Sequence, residues 1–513
     1  MADAQISELL LRGAELHRQG HLAEAEAHYR QVLATAPRQP DALHLLGLVA
    51  NAAGRPAEAI DLIRQAVAVQ PDLAAAHYNL GRILQGQGAF DQAEQAYRQA
   101  LASEPGYVEA LENLGGALQA QGKLDEAEQM YRQVLELVPG QASAWSNLGT
   151  LLQARGLPAE SLKAYDKALA LAPEYVEAFH NRGEALSDLH QLDKAVASYD
   201  RALELRPDYA DAHFGRAAAL LRKGALRAGF AEYEWRRRRS DAQQRVLPGP
   251  EWDGTEAAGL TLLVYTEQGY GDAVQFARYV PLLTARGATV LLECQRALVP
   301  LFTSLAGVTQ VLARGEPLPA YDAHIPLMSL PRLFGTELES IPSEVPYLAP
   351  PAELLERWQT RIGSDGEPRV GLVWAGTPNP NWRAARSVPA SALAPLASIS
   401  GARFFSLQKD EAERPPFDIA DLSGELDDFA STAAAISCLD LVISVDTAAA
   451  HLAGALGRPV WLMLPHAADW RWLLDREDSP WYPTMRLFRQ PIWGDWESVV
   501  RAVASRLAML RGS

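Results

Sequence analysis

Residues 79–112 read NLGRILQGQGAFDQAEQAYRQALASEPGYVEALE, and this stretch decides the fold of the first half of the chain. Its glycine, tyrosine and proline at positions 81, 97 and 105 each recur at intervals of 34 residues. The three series are Gly13, Gly47, Gly81, Gly115, Gly149 and Gly183; Tyr29, Tyr97, Tyr131, Tyr165, Tyr199 and Tyr233, with Ile63 in the missing place; and Pro37, Pro71, Pro105, Pro139, Pro173 and Pro207. Three residue types in one register indicate an internal repeat, because chance would not keep them aligned.

The repeat has the properties of two antiparallel helices joined by a turn. Glycine lets the helices approach closely, while the tyrosine and small alanines such as Ala66 and Ala100 fill the space between them. Proline ends the second helix because it lacks an amide donor and clashes with the preceding turn. These residues resemble the tetratricopeptide repeat, with six clear units over roughly residues 6–209 and a degenerate seventh to about residue 240. Such units stack into a superhelix with a concave groove.

A fourth periodic residue suggests what the groove binds. Asparagine recurs every 34 residues on the first helix of each repeat, at Asn79, Asn113, Asn147 and Asn181. A row of side-chain amides can pair with a peptide backbone, since each amide both donates and accepts hydrogen bonds. The row resembles the asparagine ladder in the repeat domain of O-linked N-acetylglucosamine transferases. We therefore expect a polypeptide acceptor or partner protein in the groove; the alternative is a repeat residue that bonds to the adjacent turn.

The composition is that of an ordinary globular protein and excludes several classes of function. The 513 residues are 48% hydrophobic and 21% charged, and the length predicts two to four domains. A net charge of −16 argues against general nucleic-acid binding, which needs a basic face. We expect neither a transmembrane helix nor a signal peptide, and so a cytoplasmic protein. Cys294 and Cys438 both lie in apolar runs and are predicted to be buried thiols.

The join between the halves is a basic segment, residues 235–250, that ends in Pro-Gly-Pro. Its four arginines, residues 236–239, are expected to be the solvated end of the last repeat helix, where cations complement the helix dipole. The repeat pattern stops here. We therefore predict that the first domain comprises residues 1–245.

From Leu260 onward, short apolar runs alternate with helical segments, which predicts parallel sheets. The runs are residues 260–266, 288–294, 308–312 and 323–327, then 369–375, 402–408, 440–445 and 459–464, and residues 495–510 form a predicted closing helix. The stretch 342–368, rich in proline and glutamate, separates the two groups of strands. The predicted fold class is therefore α plus α/β, with a superhelix followed by two Rossmann-like lobes at residues 246–365 and 366–513.

Candidate functional residues lie where the predicted strands end, because parallel sheets bind ligands beyond the carboxyl ends of their strands. Gly269, Gly271 and Asp272 open a helix after the first strand, where Asp272 is either a functional carboxylate or a helix cap. Asp446 and Thr447 open another helix after the strand at residues 440–445. His451 lies four residues after Thr447 and hence on the same helix face, where it is either a ligand-binding or a packing residue.

At these residues the chain resembles a known enzyme family. The segment Gly269–Asp272 and the segment VISVDTAAAHLAGALGRPVWLMLP at residues 442–465 are similar to the ADP-heptose heptosyltransferases, which have the GT-B fold of two facing lobes. The resemblance covers roughly residues 258–490. Chains that join repeats to such a transferase also resemble bacterial flagellin glycosyltransferases and, in overall plan only, O-linked N-acetylglucosamine transferases.

The resemblance implies a role for each matching residue. Asp272 would be the general base that deprotonates the acceptor hydroxyl in an inverting transfer. Asp446, Thr447 and His451 would bind the sugar diphosphate, and Gly271 would form part of the donor site. The sequence contains no Asp-x-Asp motif, so we expect a reaction that needs no metal ion and no cofactor apart from the nucleotide-sugar donor.

One position departs from the family pattern. The loop after the fifth strand usually carries a lysine that neutralises phosphate, but here residues 377–387 contain none. Arg383, Arg386 and Lys409 are the candidate replacements, and each is alternatively a solvated loop charge. Trp470 follows the last main strand and either stacks on a base or sugar in the donor site or packs between the lobes.

Three functions remain open from the sequence. The first is a protein glycosyltransferase whose repeats hold a polypeptide acceptor, and the asparagine row favours it. The second is a transferase for lipopolysaccharide or capsule. The third is a catalytically silent scaffold with a vestigial nucleotide-sugar site, which the missing lysine favours. Repeat domains often pair, so the sequence also leaves a homodimer open.

Overall fold

A computed structural model describes residues 2–242, 245–363, 366–376, 386–399, 401–409 and 412–509. The chain divides into two compact units, Met1–Ala178 and Phe179–Ser513. Both predicted fold types are present, since helical repeats are followed by parallel sheets with helices. The α plus α/β class is therefore confirmed.

The first unit consists of five helix pairs. Its helices are α1 (Ala2–Arg18), α2 (Leu22–Thr35), α3 (Pro40–Ala52), α4 (Pro56–Val69), α5 (Ala74–Gly86), α6 (Phe90–Ser103), α7 (Val108–Ala120), α8 (Leu124–Leu137), α9 (Ala142–Ala154) and α10 (Pro158–Leu171). The repeated glycines allow close packing within each pair: a Cβ atom on Gly81 would lie 2.6 Å from the Tyr97 ring, and one on Gly47 would lie 2.6 Å from Ile63. The packing role assigned to these residues from the sequence is thus confirmed.

The second unit begins with two further helix pairs. These are α11 (Val176–Asp188), α12 (Leu192–Leu205), α13 (Ala210–Arg222) and α14 (Leu226–Tyr233). The last pair is the degenerate seventh repeat, and a short 3₁₀ helix, Glu234–Arg238, follows it. Tyr233 keeps its place in the 34-residue series and is buried.

The arginine run after α14 is not simply a solvated helix end. Arg236 is only 5% exposed, and its guanidinium donates to Glu234 (2.7 Å), Glu267 (2.7 Å) and Ser329 (2.9 Å). Since Glu267 follows the first strand of the sheet region, Arg236 ties the end of the repeats to that sheet. The expectation of solvation was wrong for this arginine, because the sequence pattern could not show a partner carboxylate 31 residues away.

The first sheet is parallel and has the order β3-β2-β1-β4. Its strands are β1 (Thr261–Tyr265), β2 (Thr289–Cys294), β3 (Val308–Ala313) and β4 (Ala323–Pro326). Its helices are α15 (Tyr270–Phe276), α16 (Val280–Ala285), α17 (Val299–Phe302) and α18 (Leu330–Leu333), and α19 (Ala352–Ile362) leads to the second sheet.

The second sheet is also parallel, with the order β10-β9-β8-β5-β6-β7. Its strands are β5 (Arg369–Val373), β6 (Arg403–Ser406), β7 (Ala420–Asp421), β8 (Leu441–Val445), β9 (Val460–Leu464) and β10 (Met485–Arg489). Its helices are α20 (Phe429–Ser437), α21 (Ala448–Ala455) and the closing α22 (Trp496–Met509). All eight predicted strands are present, and the two edge strands β7 and β10 were missed.

The last helix pair shares one hydrophobic core with the sheets. Leu226, Phe230 and Tyr233 of α14 belong to the same buried cluster as the helices and strands of the α/β region. The phenyl ring of Phe230 meets that of Phe276 edge to face, with 6.4 Å between ring centroids. This packing explains why the compact units divide after Ala178, whereas the sequence predicts domain boundaries near residues 245 and 365. Those boundaries stay predictions.

Two smaller sequence expectations concern the thiols and the membrane. Cys294 and Cys438 are both free and buried, and burial raises the pKa of the Cys294 thiol to about 12. Among the described residues, none of the helices is sufficiently long and apolar to pass through a membrane.

Candidate active site

A cavity of about 1090 Å³ lies within the second unit, at the carboxyl ends of strands from both sheets. Eight of the nine predicted catalytic and donor-binding residues line it: Gly271, Asp272, Arg386, Lys409, Asp446, Thr447, His451 and Trp470. The ninth, Arg383, lies outside the described residues. Convergence on one cavity is what the rule for parallel sheets predicts, although the individual roles stay predictions.

Asp272 lies in the first turn of α15 and uses its two carboxylate oxygens differently. Oδ2 accepts a hydrogen bond from the backbone N–H of Gly269 at 3.0 Å, which caps the helix. Oδ1 accepts from the guanidinium of Arg471. Each carboxylate oxygen has two lone pairs, so capping leaves room for a further proton donor. The two interpretations of Asp272, cap and base, are therefore compatible.

Helices α15 and α21 meet at Gly271. A Cβ atom at this position would lie 3.0 Å from Cδ2 of His451 and 3.6 Å from the Cα atom of Ala448. Only a residue without a side chain allows this approach. Gly271 thereby brings the carboxylate of Asp272 close to the start of α21.

Asp446 directly follows β8 and is buried next to His451. Nε2 of His451 lies 3.7 Å from Oδ1 of Asp446, and Arg386 donates to the backbone carbonyl of Asp446 at 3.3 Å. Burial by itself would raise the pKa of Asp446, but the neighbouring His451 and the charge of Arg386 outweigh it and hold the pKa well below the usual range. Asp446 is therefore an anion at neutral pH that lies beside the imidazole of His451 and lines the cavity. Its contact with a sugar diphosphate stays a prediction.

His451 is held on three sides. Its Nδ1 lies 3.0 Å from the hydroxyl of Tyr482, its ring stacks on Trp472 with 5.4 Å between centroids, and it is only 5% exposed. Thr447 precedes α21 and its hydroxyl lies 3.1 Å from that of Ser444. The N-terminus of α21 borders the cavity. The free backbone N–H groups and the helix dipole favour an anion at this end of a helix.

The cationic candidates in the described loops are held by backbone carbonyls. Lys409 donates from Nζ to the carbonyl of Ser423 at 3.1 Å and to that of Leu426 at 2.8 Å. Arg386 is exposed, and its guanidinium donates to the backbone carbonyl of Asp446. Both side chains line the cavity. An ammonium carries three N–H donors and a guanidinium five, so these bonds to carbonyls do not use up the donors of either side chain.

Trp470 is 5% exposed and packs in an aromatic cluster. Its ring meets Phe230 and Tyr233 of α14 edge to face, at 5.6 and 6.0 Å between centroids, and Trp481 at 6.1 Å. This geometry favours the packing alternative over stacking on a donor.

Arg471 was missed by the sequence analysis. Its guanidinium donates to Asp272, Asp469 and Gln275, and lies 4.5 Å from the centroid of Trp470. Burial would lower its pKa, but the carboxylates of Asp469 and Asp272 raise it well above the ordinary value. The arginine stays charged and fixes the candidate base. No local motif marks such a residue, because its partners Asp272 and Gln275 lie about 200 positions away in sequence.

The repeats also contribute to the cavity, which the sequence analysis did not anticipate. Glu184 of α11 and Phe214, Gly215 and Ala218 of α13 line it together with Asp272. The donor-motif residues and the end of the repeat array thus share one space. No sequence pattern indicates this contact, because the repeats are predicted to form a separate domain.

The asparagine row lies half-buried on the first helices of its repeats. Nδ2 of Asn79 donates to the carbonyl of Ala75 at 2.9 Å and lies 3.0 Å from Nε2 of His44. Asn113 donates to the hydroxyl of Tyr78 at 3.2 Å. Peptide binding by the four asparagines, Asn79, Asn113, Asn147 and Asn181, stays a prediction.

Comparison with known families bears on both halves of the chain. Models of the tetratricopeptide repeat match residues 38–103, 78–142, 117–176, 164–197 and 185–224. The model of glycosyltransferase family 9 (heptosyltransferase) matches residues 408–461, which include Asp446, Thr447 and His451. The resemblance stated from the sequence, repeats joined to a heptosyltransferase-like segment, is thereby confirmed, and the match indicates a glycosyltransferase role.

A bacterial relative matches part of the chain. The chain is 31% identical over 326 residues to protein FlbA of Caulobacter vibrioides, and the match covers 56% of this chain and 53% of FlbA. The chain therefore spans about half the length of this curated relative.

Solved structures resemble part of the chain. The MamA protein is 25% identical with a TM-score of 0.31, covering 34% of this chain and 94% of MamA. PilF of Pseudomonas aeruginosa is 20% identical with a TM-score of 0.37, and the match covers 41% of this chain and 96% of PilF. YrrB, described as a TPR protein with an unusual peptide-binding site, is 18% identical with a TM-score of 0.31. The match covers 36% of this chain and 95% of YrrB.

Proposed function

We propose that this chain transfers a sugar from a nucleotide-sugar donor to a protein acceptor, by inverting chemistry in a GT-B-type site that needs no metal ion. The observation that carries the proposal is the shared cavity, in which Asp272, the start of α21 and the wall formed by α11 and α13 face the same space. The match of residues 408–461 to the heptosyltransferase family supports the donor class. We place the reaction in the cytoplasm.

The reaction requires a base, an anion site and a fixed geometry. Asp272 accepts the proton of the acceptor hydroxyl while the hydroxyl oxygen attacks the anomeric carbon. The bond between that carbon and the donor phosphate breaks on the opposite face, so the configuration inverts and the nucleotide leaves with the bonding electrons. The amides at the start of α21 stabilise the charge that develops on the leaving phosphate, helped by Arg386 or Lys409. Arg383 is a third candidate cation.

The asparagine row is the proposed contact for a polypeptide acceptor. Both N–H groups of the Asn79 amide have neighbours, so this residue would offer its carbonyl oxygen to a peptide N–H. Asn113, Asn147 and Asn181 would continue the contact in the same register. The alternative acceptor, a lipopolysaccharide or capsule glycan, needs no such row of amides.

Binding of the donor is the first test. Calorimetric titration with a panel of UDP-, GDP-, ADP-, dTDP- and CMP-linked sugars should give binding to the wild type and a loss of about tenfold or more in His451→Ala. Asp272→Asn should bind the same donor normally and lose transfer, typically by about 10²–10⁴-fold for a lost general base. Transfer to a glycan but not to any polypeptide would replace the protein acceptor by the alternative one.

A catalytically silent scaffold is the second candidate, because Lys409 and Arg386 are both bonded to backbone carbonyls and the usual lysine is missing. A wild-type protein that binds no member of the donor panel would favour this candidate. Donor binding without transfer to any acceptor would leave a binding protein rather than an enzyme.

A further inference from the structure

Two aromatic rings meet across the mouth of the cavity. Tyr270 is the first residue of α15, next to the first sheet, and Phe429 is the first residue of α20, next to the second. Their ring centroids lie 4.8 Å apart and the rings are tilted by 37°. Both line the cavity that contains Asp272.

The position of Tyr270 is unusual for an aromatic residue. It is 42% exposed, although most large aromatic side chains in this unit are buried. Phe429 is half-buried, and its helix is anchored independently by Asp428, whose carboxylate accepts from the backbone N–H of Ser431 at 2.8 Å. Packing within the protein therefore uses only part of this aromatic surface, and the remainder faces the cavity.

Three consecutive residues place this surface close to the reacting atoms. Gly271 touches the start of α21, where the donor phosphate would bind, and Asp272 carries the candidate base. The Cα atoms of Tyr270 and Asp272 are at most about 7.6 Å apart, twice the spacing of consecutive residues. Because Tyr270 and Asp272 line the same cavity, a sugar bound between the phosphate and Asp272 would occupy the space that Tyr270 borders. The nucleobase is further away, because the ribose and the phosphate separate it from that sugar.

We propose that Tyr270 and Phe429 form a stacking platform for the transferred sugar, so that they recognise the glycosyl group of the donor rather than its nucleotide. This inference rests on the proposed function. One face of a sugar ring exposes C–H groups, which carry partial positive charge and pack on the negative face of an aromatic ring. The platform bridges elements of both sheets, so a bound sugar would also join the two parts of the cleft.

The test compares two affinities for each variant. The probes are the nucleotide sugar that binds the wild type best in the panel and its own nucleoside mono- or diphosphate without the sugar. Tyr270→Ala and Phe429→Ala should each weaken binding of the nucleotide sugar about three- to tenfold, the range expected for one aromatic contact. Binding of the sugar-free nucleotide should stay within about twofold of the wild-type value.

Two further variants and one control measurement separate this role from general effects. Tyr270→Phe keeps the ring and should bind both probes normally. Ile492→Ala removes another exposed apolar side chain, 65% exposed and outside the cavity lining, and should change neither affinity. Circular dichroism of Tyr270→Ala should match the wild type, since the side chain lies partly in solvent.

Equal weakening for both probes would overturn the inference and assign the rings to the nucleotide. Unchanged affinity for both would overturn it as well. A wild-type protein that binds nothing in the panel would contradict the proposed function itself and the platform with it. This outcome differs from failure of the platform alone, in which the wild type binds and the variants show no selectivity for the sugar.

Discussion

At the scale of single residues, the candidate site depends on how one carboxylate is held. Asp272 is fixed through Gly269 on one oxygen and Arg471 on the other, and the Arg471 guanidinium lies on Trp470. A base with a fixed orientation needs little rearrangement when the acceptor arrives, which is how a positioned group lowers a barrier. Arg471 is therefore a positioning residue rather than a catalytic one.

Removing this arginine should destabilise the second unit. Arg471→Met leaves Asp272 and Asp469 without their shared cation, and breaking a buried ion pair from one side costs about 3–5 kcal/mol. The thermal unfolding midpoint should fall by several degrees. The control is Arg476→Met, which loses a pair with the largely exposed Asp478 and should cost about 1 kcal/mol or less. Equal midpoints for the two variants would contradict the structural role of Arg471.

At the scale of secondary-structure elements, each repeat depends on contact between its two helices. In Gly81→Ala the added methyl would lie 2.6 Å from the Tyr97 ring, so α5 and α6 must separate. Overpacking of this kind costs about 1–3 kcal/mol. Gly106→Ala is the matched control, because a Cβ atom there meets nothing within 4 Å. Urea unfolding should show a lower midpoint for Gly81→Ala alone, and a lower midpoint for both variants would refute the close-packing argument.

The turn between α11 and α12 should give stability a dependence on pH. The ring of His190 stacks on that of His466, with 4.6 Å between centroids, and its Nε2 lies 3.1 Å from the His466 carbonyl. Burial, followed by the charge of Arg222, lowers the pKa of His190 to about 4. An unfolded histidine has a pKa of about 6.5, so between these values the unfolded chain binds more protons. The free energy of unfolding should therefore decrease as pH falls from about 6.5 to about 4.

His190→Asn tests this dependence directly. Asparagine tolerates the left-handed backbone of this position, where φ is 59°, and it does not titrate. Thermal melts at pH 7, 5.5 and 4.5 should show a smaller loss of stability on acidification than the wild type. An unchanged slope in His190→Asn would assign the acid sensitivity to other groups.

The elements themselves were largely predictable, and the exceptions have physical reasons. The eight predicted strands are mostly buried apolar runs, whose pattern is local, although β3 exposes Thr309 and Gln310. β7 consists of two exposed residues, and β10 carries Arg486 and Arg489, so neither shows an apolar run. The positions of Asp272, Thr447 and His451 followed from the rule that ligands bind at strand ends. Arg471 and the cavity wall of α13 depend on contacts between distant segments, which no sequence pattern reveals.

At the scale of the molecule, the end of the repeat array belongs to the α/β region. Arg236 donates to Glu267, Phe230 and Tyr233 pack on Trp470, and α14 shares the buried core of the sheets. The repeat pattern in the sequence continues past Ala178, where the two compact units divide, and stops only at residues 235–250. The predicted boundary near residue 245 would therefore separate α14 from a core that it shares with the sheets.

A fragment that begins at Val176 should consequently fold, whereas one that begins at residue 246 should not. The shorter fragment lacks Arg236, whose guanidinium donates to Glu267 at 2.7 Å. It also exposes the faces of Trp470 and Phe276 that α14 covers. The longer fragment keeps these contacts and the whole cavity wall. In thermal melts followed by circular dichroism, the fragment from Val176 should unfold cooperatively and the fragment from residue 246 should aggregate or unfold broadly. Cooperative unfolding of both at the same temperature would show that the seventh repeat is only an appendage, and that the predicted boundary near residue 245 separates independent domains.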